Sequence, residues 1–167
     1  MILVSACLIG LRCRYDGQNA FCRELVELLR DRQYLPVCPE ELGNLPTPRP
    51  PSILVGGDGH EVLRLKARVV NEKGKDVTFN FLKGAKKALE MAQSFGVKVC
   101  FLKEKSPSCG VNFVYTDKGL QSGVGVTTAM LLKNGYKVIG IQPGETDIHK
   151  LKDLIKQVKG GKDELEM

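Results

Sequence analysis

Six cysteines are the side chains of this sequence with the greatest capacity for chemistry. They are Cys7, Cys13, Cys22, Cys38, Cys100 and Cys109. In a secreted chain of this size an even number of cysteines would suggest disulfides, whereas in the cytosol metal binding or catalysis is the commoner use. The apolar N-terminus has no leading positive charge and does not resemble a signal peptide, and no apolar run reaches the roughly 20 residues that span a bilayer. We therefore expect a cytoplasmic protein without a membrane partner and with functional thiols.

Three of these cysteines follow segments that the sequence predicts as β-strands. Cys7, Cys38 and Cys109 each come at or within several residues of a strand end. Ligands of parallel sheets bind beyond the carboxyl ends of the strands, so the three thiols can share one site. Thiolates select zinc, copper(I) or an iron–sulfur cluster, and a cluster held by three cysteines leaves one iron open as a Lewis acid. We predict that these three cysteines share one metal site and that the site holds an iron–sulfur cluster.

The other three cysteines have different interpretations. Cys100 lies inside an apolar strand and Cys22 on the first helix, where a free cysteine serves as a small core residue. Cys13 follows Cys7 closely and leaves three choices open: a fourth ligand, a nucleophile, or a surface thiol.

Glu40, Ser106 and Ser108 are the candidate partners of such a site. Glu40 follows Cys38 after a single proline, and a carboxylate beside a cluster can act as general base for a water. Ser106 and Ser108 flank Pro107 and can hydrogen-bond a substrate or a cluster sulfur. The alternatives are an exposed carboxylate and a turn that needs its serines for conformation.

Arg49 and Asp16 are weaker candidates for substrate binding. Arg49 lies between two prolines and can hold an anion or simply be solvated. Asp16, in a Tyr-Asp-Gly sequence, can orient a ligand or only form a turn. His60 and His149 are isolated and have no partners at metal-ligand spacing.

Alternating strands and helices predict the fold class. We predict strands at 2–5, 34–37, 97–102 and 136–141, and helices at 21–30, 76–94, 124–133 and 147–159. This order indicates one α/β domain with a Rossmann-like, mostly parallel sheet covered by helices on both faces. Residues 1–145 would form the cluster-binding domain, and 146–167 an amphipathic terminal helix and polar tail.

A proline- and glycine-rich stretch interrupts this alternation. Residues 40–51 are expected to be irregular because prolines remove backbone donors, and 62–70 could form one strand of a small hairpin. The stretch is an insertion too short for a second domain.

The charge balance gives little information about partners. The chain carries 25 Lys and Arg against 19 Asp and Glu, a net charge of +6, which fits a solvated lysine-rich surface. Attraction to a nucleotide or RNA is the alternative, but no nucleic-acid-binding motif is recognisable.

Several motifs together resemble one family. They are Ser5-Ala6-Cys7-Leu8, Cys13-Arg14-Tyr15-Asp16-Gly17, Cys38-Pro39-Glu40, Leu45-Pro46-Thr47-Pro48-Arg49 and Ser106-Pro107-Ser108-Cys109-Gly110. The chain resembles, from about residue 1 to 141, a widespread bacterial family long described as a domain of unknown function, which includes the iron–sulfur-dependent 2-thiouracil desulfidases. Asn44 is a small departure, since the family often has a second glycine after Gly43.

The resemblance implies a cofactor and an activity. It implies a [4Fe–4S] cluster held by Cys7, Cys38 and Cys109, with an open iron that takes the sulfur of a thiocarbonyl substrate. It also implies catalytic roles for Glu40 and Ser106. We expect hydrolytic desulfuration of a small thiolated nucleobase or nucleoside, thiouracil to uracil plus hydrosulfide, without net redox change.

Three other functions remain open at this level. A structural zinc module would use Cys7, Cys13, Cys38 and Cys109 as a closed tetrathiolate. A metal-free thiol enzyme would use Cys109 or Cys13 as nucleophile, although it lacks a well-placed histidine. A sulfur-delivery protein for RNA thiolation would reverse the flow of sulfur and bind tRNA.

Overall fold

The computed structural model describes residues 1–156 and builds them around two four-stranded sheets. The strands are β1 (Ile2–Ser5), β2 (Tyr34–Val37), β3 (Ser52–Val55), β4 (Arg68–Asn71), β5 (Val99–Lys103), β6 (Phe113–Thr116), β7 (Gly119–Ser122) and β8 (Lys137–Ile141). The α-helices are α1 (Arg23–Leu29), α2 (Pro39–Leu42), α3 (Gly59–Leu63), α4 (Thr78–Ser94), α5 (Val126–Lys133) and α6 (Lys152–Lys156). None of these helices is long and apolar enough to cross a membrane.

The first sheet is wholly parallel, in the strand order β2-β1-β5-β8. Successive residues of a strand point to opposite faces, and the core follows this rule. Ile2 and Val4 of β1 pack with α1 and α6, whereas Leu3 packs on the other face against α4 and α5. Both faces are buried, which is why β1 and β5 are continuous apolar runs. The predicted α/β class, with a mostly parallel sheet and helices on both faces, is confirmed.

The second sheet was not predicted. It has the order β4-β3-β6-β7, in which β3 pairs antiparallel with β4 and parallel with β6, and β6 and β7 form a hairpin. Its core includes Leu54, Val69 and Val114, which pack against Phe81 and Ala85 of α4. The proline- and glycine-rich insertion thus supplies β3 and β4, and the hairpin that follows β5 supplies the rest.

One predicted strand is wrong in its first half. Residues 62–70 were expected to be extended, but Gly59–Leu63 is the helix α3 and the strand begins only at Arg68. The Asp58 carboxylate accepts a hydrogen bond from the backbone N–H of His60 at 2.9 Å and caps the helix. An N-terminal cap therefore overrides the alternating pattern of the residues that follow it.

Two further segments differ in detail from the predictions. The stretch 40–51 begins inside α2, after which neither helix nor strand forms until Ser52. The predicted helix 147–159 is a 3-10 turn, Ile148–Leu151, followed by α6 (Lys152–Lys156). Its end, and the tail predicted from Gly160, lie outside the described residues.

Candidate metal centre

Loops at the carboxyl ends of three neighbouring parallel strands bring cysteines into one cavity. Cys7 lies in the 3-10 turn after β1, Cys38 directly follows β2, and Cys109 lies in the loop after β5. All three line a cavity of about 540 Å³ together with Cys13. The structure brings together the three predicted thiols and adds Cys13 to the same group.

Burial and neighbouring groups raise the pKa of three of the four thiols in this cavity. The hydrogen bond with Cys38 favours the thiolate of Cys13, but the contact with Cys7 and burial outweigh it and raise the pKa of Cys13 to about 12. The hydrogen bond with Cys13 and burial raise the pKa of Cys38. Burial, followed by the nearby Glu40 carboxylate, raises the pKa of Cys109 to about 12. A bound metal would lower the pKa values of the thiols that hold it, because it stabilises the thiolate form.

The donor set, thiols from separate loops around one cavity, fits an iron–sulfur cluster. Zinc needs thiolates that converge at about 2.3 Å on one point. A cubane instead binds each thiolate through a different iron, so its ligands lie around a cavity wall. The thiols of Cys7 and Cys109 are buried and that of Cys38 is partly buried, and their three separate loops surround one cavity as this arrangement requires.

Glu40 lies beside the thiols with both carboxylate oxygens engaged. It occupies the first turn of α2, which begins at Pro39, a residue suited to the first helical position. Arg49 Nη2 donates to Glu40 Oε2 at 2.8 Å, and the Ser108 hydroxyl donates to Oε1. The side chains of Arg49 and Glu40 are only 5% and 15% exposed. Two shielded contacts therefore fix the direction of the carboxylate.

Arg49 also anchors the proline-rich segment to the cavity. Its guanidinium donates to the carbonyl oxygens of Cys13 and Pro46 at 2.8 and 3.2 Å and to Thr47 Oγ1 at 2.9 Å. Its backbone N–H donates to the Tyr15 carbonyl at 2.7 Å. The irregular segment is thus held by side-chain and backbone hydrogen bonds in place of secondary structure.

Ser106 and Ser108 form a directed pair of hydroxyls. Ser106 Oγ accepts from the backbone N–H groups of Ser108 and Cys109 at 3.2 and 3.1 Å and lies 3.0 Å from Ser108 Oγ. Ser108 Oγ can donate its one proton to Glu40 Oε1 or to Cys109 Sγ, which lies 3.4 Å away. When the proton goes to Glu40, Ser106 is the donor between the two hydroxyls. Ser106 lines the cavity, whereas Ser108 is 1% exposed. The pair connects the cavity to the Glu40 carboxylate.

Glu104 organises the loop that carries Cys109, and sequence reasoning missed it. Its Oε1 accepts from the backbone N–H groups of Val111, Asn112 and Phe113 at 2.7, 2.8 and 3.1 Å, and Oε2 accepts from Asn112 Nδ2 at 2.9 Å. Burial alone would raise the pKa of Glu104, but these hydrogen bonds outweigh it and hold that pKa below its ordinary value. An acidic residue directly after an apolar strand is the sequence signal that could have found it.

Other candidates lie away from the cavity wall. Asp16 is exposed, and its Oδ1 accepts from the backbone N–H of Gln18 at 2.9 Å, which is a turn contact. The residues expected to be core or isolated also lie outside the wall: Cys22, Cys100, His60 and His149. Lys103, which the sequence did not single out, does line the cavity at the end of β5.

Comparisons with known proteins show the family to which the chain belongs. A family model described as 2-thiouracil desulfurase matches residues 2–142. The uncharacterized protein YbbK of Bacillus subtilis (strain 168) is 43% identical over 142 residues, which cover 83% of this chain and 94% of that protein. A solved structure, the [4Fe-4S]-dependent thiouracil desulfidase TudS, is 37% identical with a TM-score of 0.77, covering 94% of this chain and 98% of its own. The chain therefore belongs to the 2-thiouracil desulfurase family, as its cysteine and serine motifs predict.

Proposed function

We propose that this protein is a [4Fe–4S]-dependent desulfidase that replaces the sulfur of a thiolated nucleobase by oxygen. The observation that carries the proposal is the meeting of Cys7, Cys38 and Cys109 with the Glu40 carboxylate in one cavity of about 540 Å³. Membership of the 2-thiouracil desulfurase family and the likeness to TudS support it. Thiouracil is the substrate we would assay first.

The overall reaction is a hydrolysis. A thiocarbonyl and water give a carbonyl and hydrogen sulfide, which leaves as hydrosulfide and a proton, so no electrons are gained or lost. Cys7, Cys38 and Cys109 would hold the cluster as thiolates. When bound, a cluster with one iron free of protein ligands supplies a Lewis acid that draws electron density from the thiocarbonyl carbon.

Glu40 is the proposed general base. Its carboxylate borders the cavity, and Arg49 and Ser108 hold one oxygen each. A carboxylate has about four acceptor positions, so two remain for an incoming water. Glu40 takes a proton from this water as its oxygen attacks the thiocarbonyl carbon.

Ser106 and Ser108 are proposed to move protons between the substrate and Glu40. Ser106 faces the cavity and donates toward Ser108, which donates to Glu40. If both hydroxyls rotate, a proton passes from the protonated Glu40 through Ser108 to Ser106 and on to the departing group.

Arg49 and Ser108 are also proposed to position Glu40, because each of them donates a hydrogen bond to one of its carboxylate oxygens. This role is more specific than the substrate binding that the sequence predicts for the two residues.

The first experiment is anaerobic reconstitution followed by iron, sulfide and activity measurements. We expect a brown protein with close to one full cubane per chain that forms uracil from 2-thiouracil. Serine substitution of Cys7, Cys38 or Cys109 should remove iron and activity together. Cys22→Ser is the matched control, because Cys22 occupies the N-cap position of α1 outside the cavity and serine is a favourable residue at that position.

Cys13 needs its own test because it shares the cavity. If three cysteines hold the cluster, Cys13→Ser keeps its iron content and visible spectrum. Loss of the cluster in this variant would make Cys13 a ligand and close the open iron on which the mechanism depends. A colourless wild-type protein that retains zinc would contradict the proposed function as a whole.

A further inference from the structure

A second cleft adjoins the cysteine-lined cavity through a shared set of side chains. The second cleft has a volume of about 390 Å³, and Arg14, Lys103 and Gln142 line both it and the first cavity. Its remaining wall comes from the segment 19–21 and Pro143, on the side of the molecule next to α1. The three shared residues, Arg14, Lys103 and Gln142, therefore lie at the border of the two spaces, and we call them the neck.

Lys103 contributes an ammonium group to this neck with hydrogen-bonding capacity to spare. Its Nζ donates to the Glu104 carbonyl oxygen and to Gln142 Oε1, both at 2.8 Å. An ammonium has three N–H donors, so one is left for a ligand. Burial, followed by the nearby Arg14 guanidinium, lowers the pKa of Lys103. The fold thus holds two like charges close together in a partly dry space.

Neither Arg14 nor Lys103 forms an ion pair with a carboxylate within residues 1–156. The guanidinium of Arg14 lies 5.6 Å from the centroid of the Tyr15 ring. Of the acids that line the first cavity, Glu40 is paired with Arg49, and Glu104 accepts hydrogen bonds from Val111, Asn112 and Phe113. Two cations without a carboxylate partner at the border of two cavities make a site for a small anion.

We propose that the Arg14–Lys103–Gln142 neck binds an anion and is the route by which hydrosulfide leaves the cavity. The inference rests on the proposed function, whose second product is this anion. An anion that enters a partly dry passage loses hydration, and the two cations offset that cost. No bond to the protein forms or breaks in this step.

An anion-binding test that needs no turnover addresses the neck itself. Bromide is monovalent and polarisable like hydrosulfide, and its anomalous scattering locates it in a crystal of the reconstituted protein soaked in sodium bromide. We expect a bromide ion in contact with Lys103 Nζ and the Arg14 guanidinium, and its loss in Lys103→Gln. Absence of bromide from the neck of the wild-type protein overturns the inference.

A kinetic test addresses the route. In Lys103→Gln we expect the steady-state kcat for 2-thiouracil to fall roughly tenfold, equivalent to about 1.4 kcal/mol, while the first turnover keeps its rate and KM does not rise. Lys103→Arg should restore kcat because it returns the charge. Lys137→Gln is the matched control, since Lys137 is exposed at the opposite end of the sheet. If Lys103→Gln does not fold, Arg14→Gln takes its place with the same expectation.

The outcomes separate the inference from the proposed function. A higher KM, or equal slowing of the first turnover and of the steady state, would assign the cations to the substrate and overturn the exit route. A wild-type protein that releases no hydrosulfide from 2-thiouracil would overturn the proposed function and this route with it. An active wild type without bromide in the neck would overturn the inference alone.

Discussion

At the scale of single residues, the environment of Glu40 decides what the cavity can do. Arg49 supplies a charge-assisted hydrogen bond that orients the carboxylate, and Ser108 links it to a hydroxyl at the cavity surface. Glu41, the next residue in α2, is exposed and instead accepts from Thr47 Oγ1 at 2.7 Å. Two adjacent glutamates therefore have different surroundings, and of the two only Glu40 lines the cavity.

Glu40→Gln tests the proposed role of Glu40 as general base. The amide still accepts a hydrogen bond but cannot take a proton from water, so we expect turnover of 2-thiouracil to fall by about 10²–10⁴-fold. The iron content and visible spectrum should be unchanged, because Glu40 is not a proposed ligand. Glu41→Gln is the control and should keep wild-type turnover. A fully active Glu40→Gln protein would remove Glu40 from the mechanism.

Glu104→Gln tests the anchor of the Cys109 loop and has a defined pH dependence. At pH 7 we expect the free energy of unfolding to fall by about 1.5–3 kcal/mol, the range for hydrogen bonds to a charged group. The folded-state pKa of Glu104 lies below the unfolded value, so its contribution is present above that value and is lost as the pH falls through the folded pKa.

Urea unfolding of the wild type and Glu104→Gln between pH 7 and 3 measures this contribution. The two free energies of unfolding should converge below about pH 4.5, the ordinary pKa of a glutamate. A difference that stays constant over this range would mean that the charge of Glu104 does not stabilise the loop.

At the scale of elements, a pair of glycines sets the position of α2 against α4. A Cβ on Gly84 would collide with the Pro39 carbonyl oxygen, and a Cβ on Gly43 with the Asn80 carbonyl oxygen. Asn80 Nδ2 also donates to the Gly43 carbonyl at 2.9 Å. This close contact seats the start of α2, and so the positions of Cys38 and Glu40, against α4.

Gly84→Ala should therefore disturb the cavity from a distance. The added methyl group must push α2 away, and we expect a loss of about 1–3 kcal/mol in the free energy of unfolding, the usual effect of overpacking. Cluster loading should fall as well, because Cys38 moves with α2. Lys87→Ala, on the exposed side of the same helix, should change stability by less than about 0.5 kcal/mol. If the Gly84→Ala protein keeps its full iron content, cluster loading does not depend on the exact position of α2.

At the scale of the whole molecule, the cavity lies where the two sheets meet. Its wall includes Val37 of the parallel sheet together with Ile53 and Tyr115 of the second sheet. Helix α4 joins the two halves, since Phe81 packs under the second sheet while Ala92 packs against the first. The thiols come from three loops distant in sequence, so a cluster bound to them would crosslink most of the fold.

We expect reconstitution to raise the melting temperature by several degrees. A group that binds the folded chain more tightly than the unfolded chain stabilises it by mass action. Removal of iron with a chelator should reverse the increase, and the Cys38→Ser protein should melt at the same temperature with and without iron and sulfide. Calorimetry under anaerobic conditions makes the measurement. Equal melting temperatures for loaded and cluster-free wild type would contradict a crosslinking role.

The sequence by itself determined the parallel sheet and the cysteines at its edge. Continuous apolar strands that alternate with helices admit few arrangements, and the carboxyl ends of parallel strands meet at one edge whatever the loops do. The convergence of Cys7, Cys38 and Cys109 follows from this topology, and the Cys-Pro-Glu and Ser-Pro-Ser-Cys motifs were enough to indicate the family.

Only the tertiary structure decided the second sheet and the partners within the cavity. The strands β3 and β6 are four residues long and are joined in register through one residue pair, Leu54 and Thr116, so local pattern carries little of that signal. Glu104 binds backbone N–H groups of a later turn, and Arg49 meets Glu40 across a proline-rich segment that has no periodicity. Such contacts depend on how irregular loops close in space. The types of the residues and their spacing along the chain do not specify this closure.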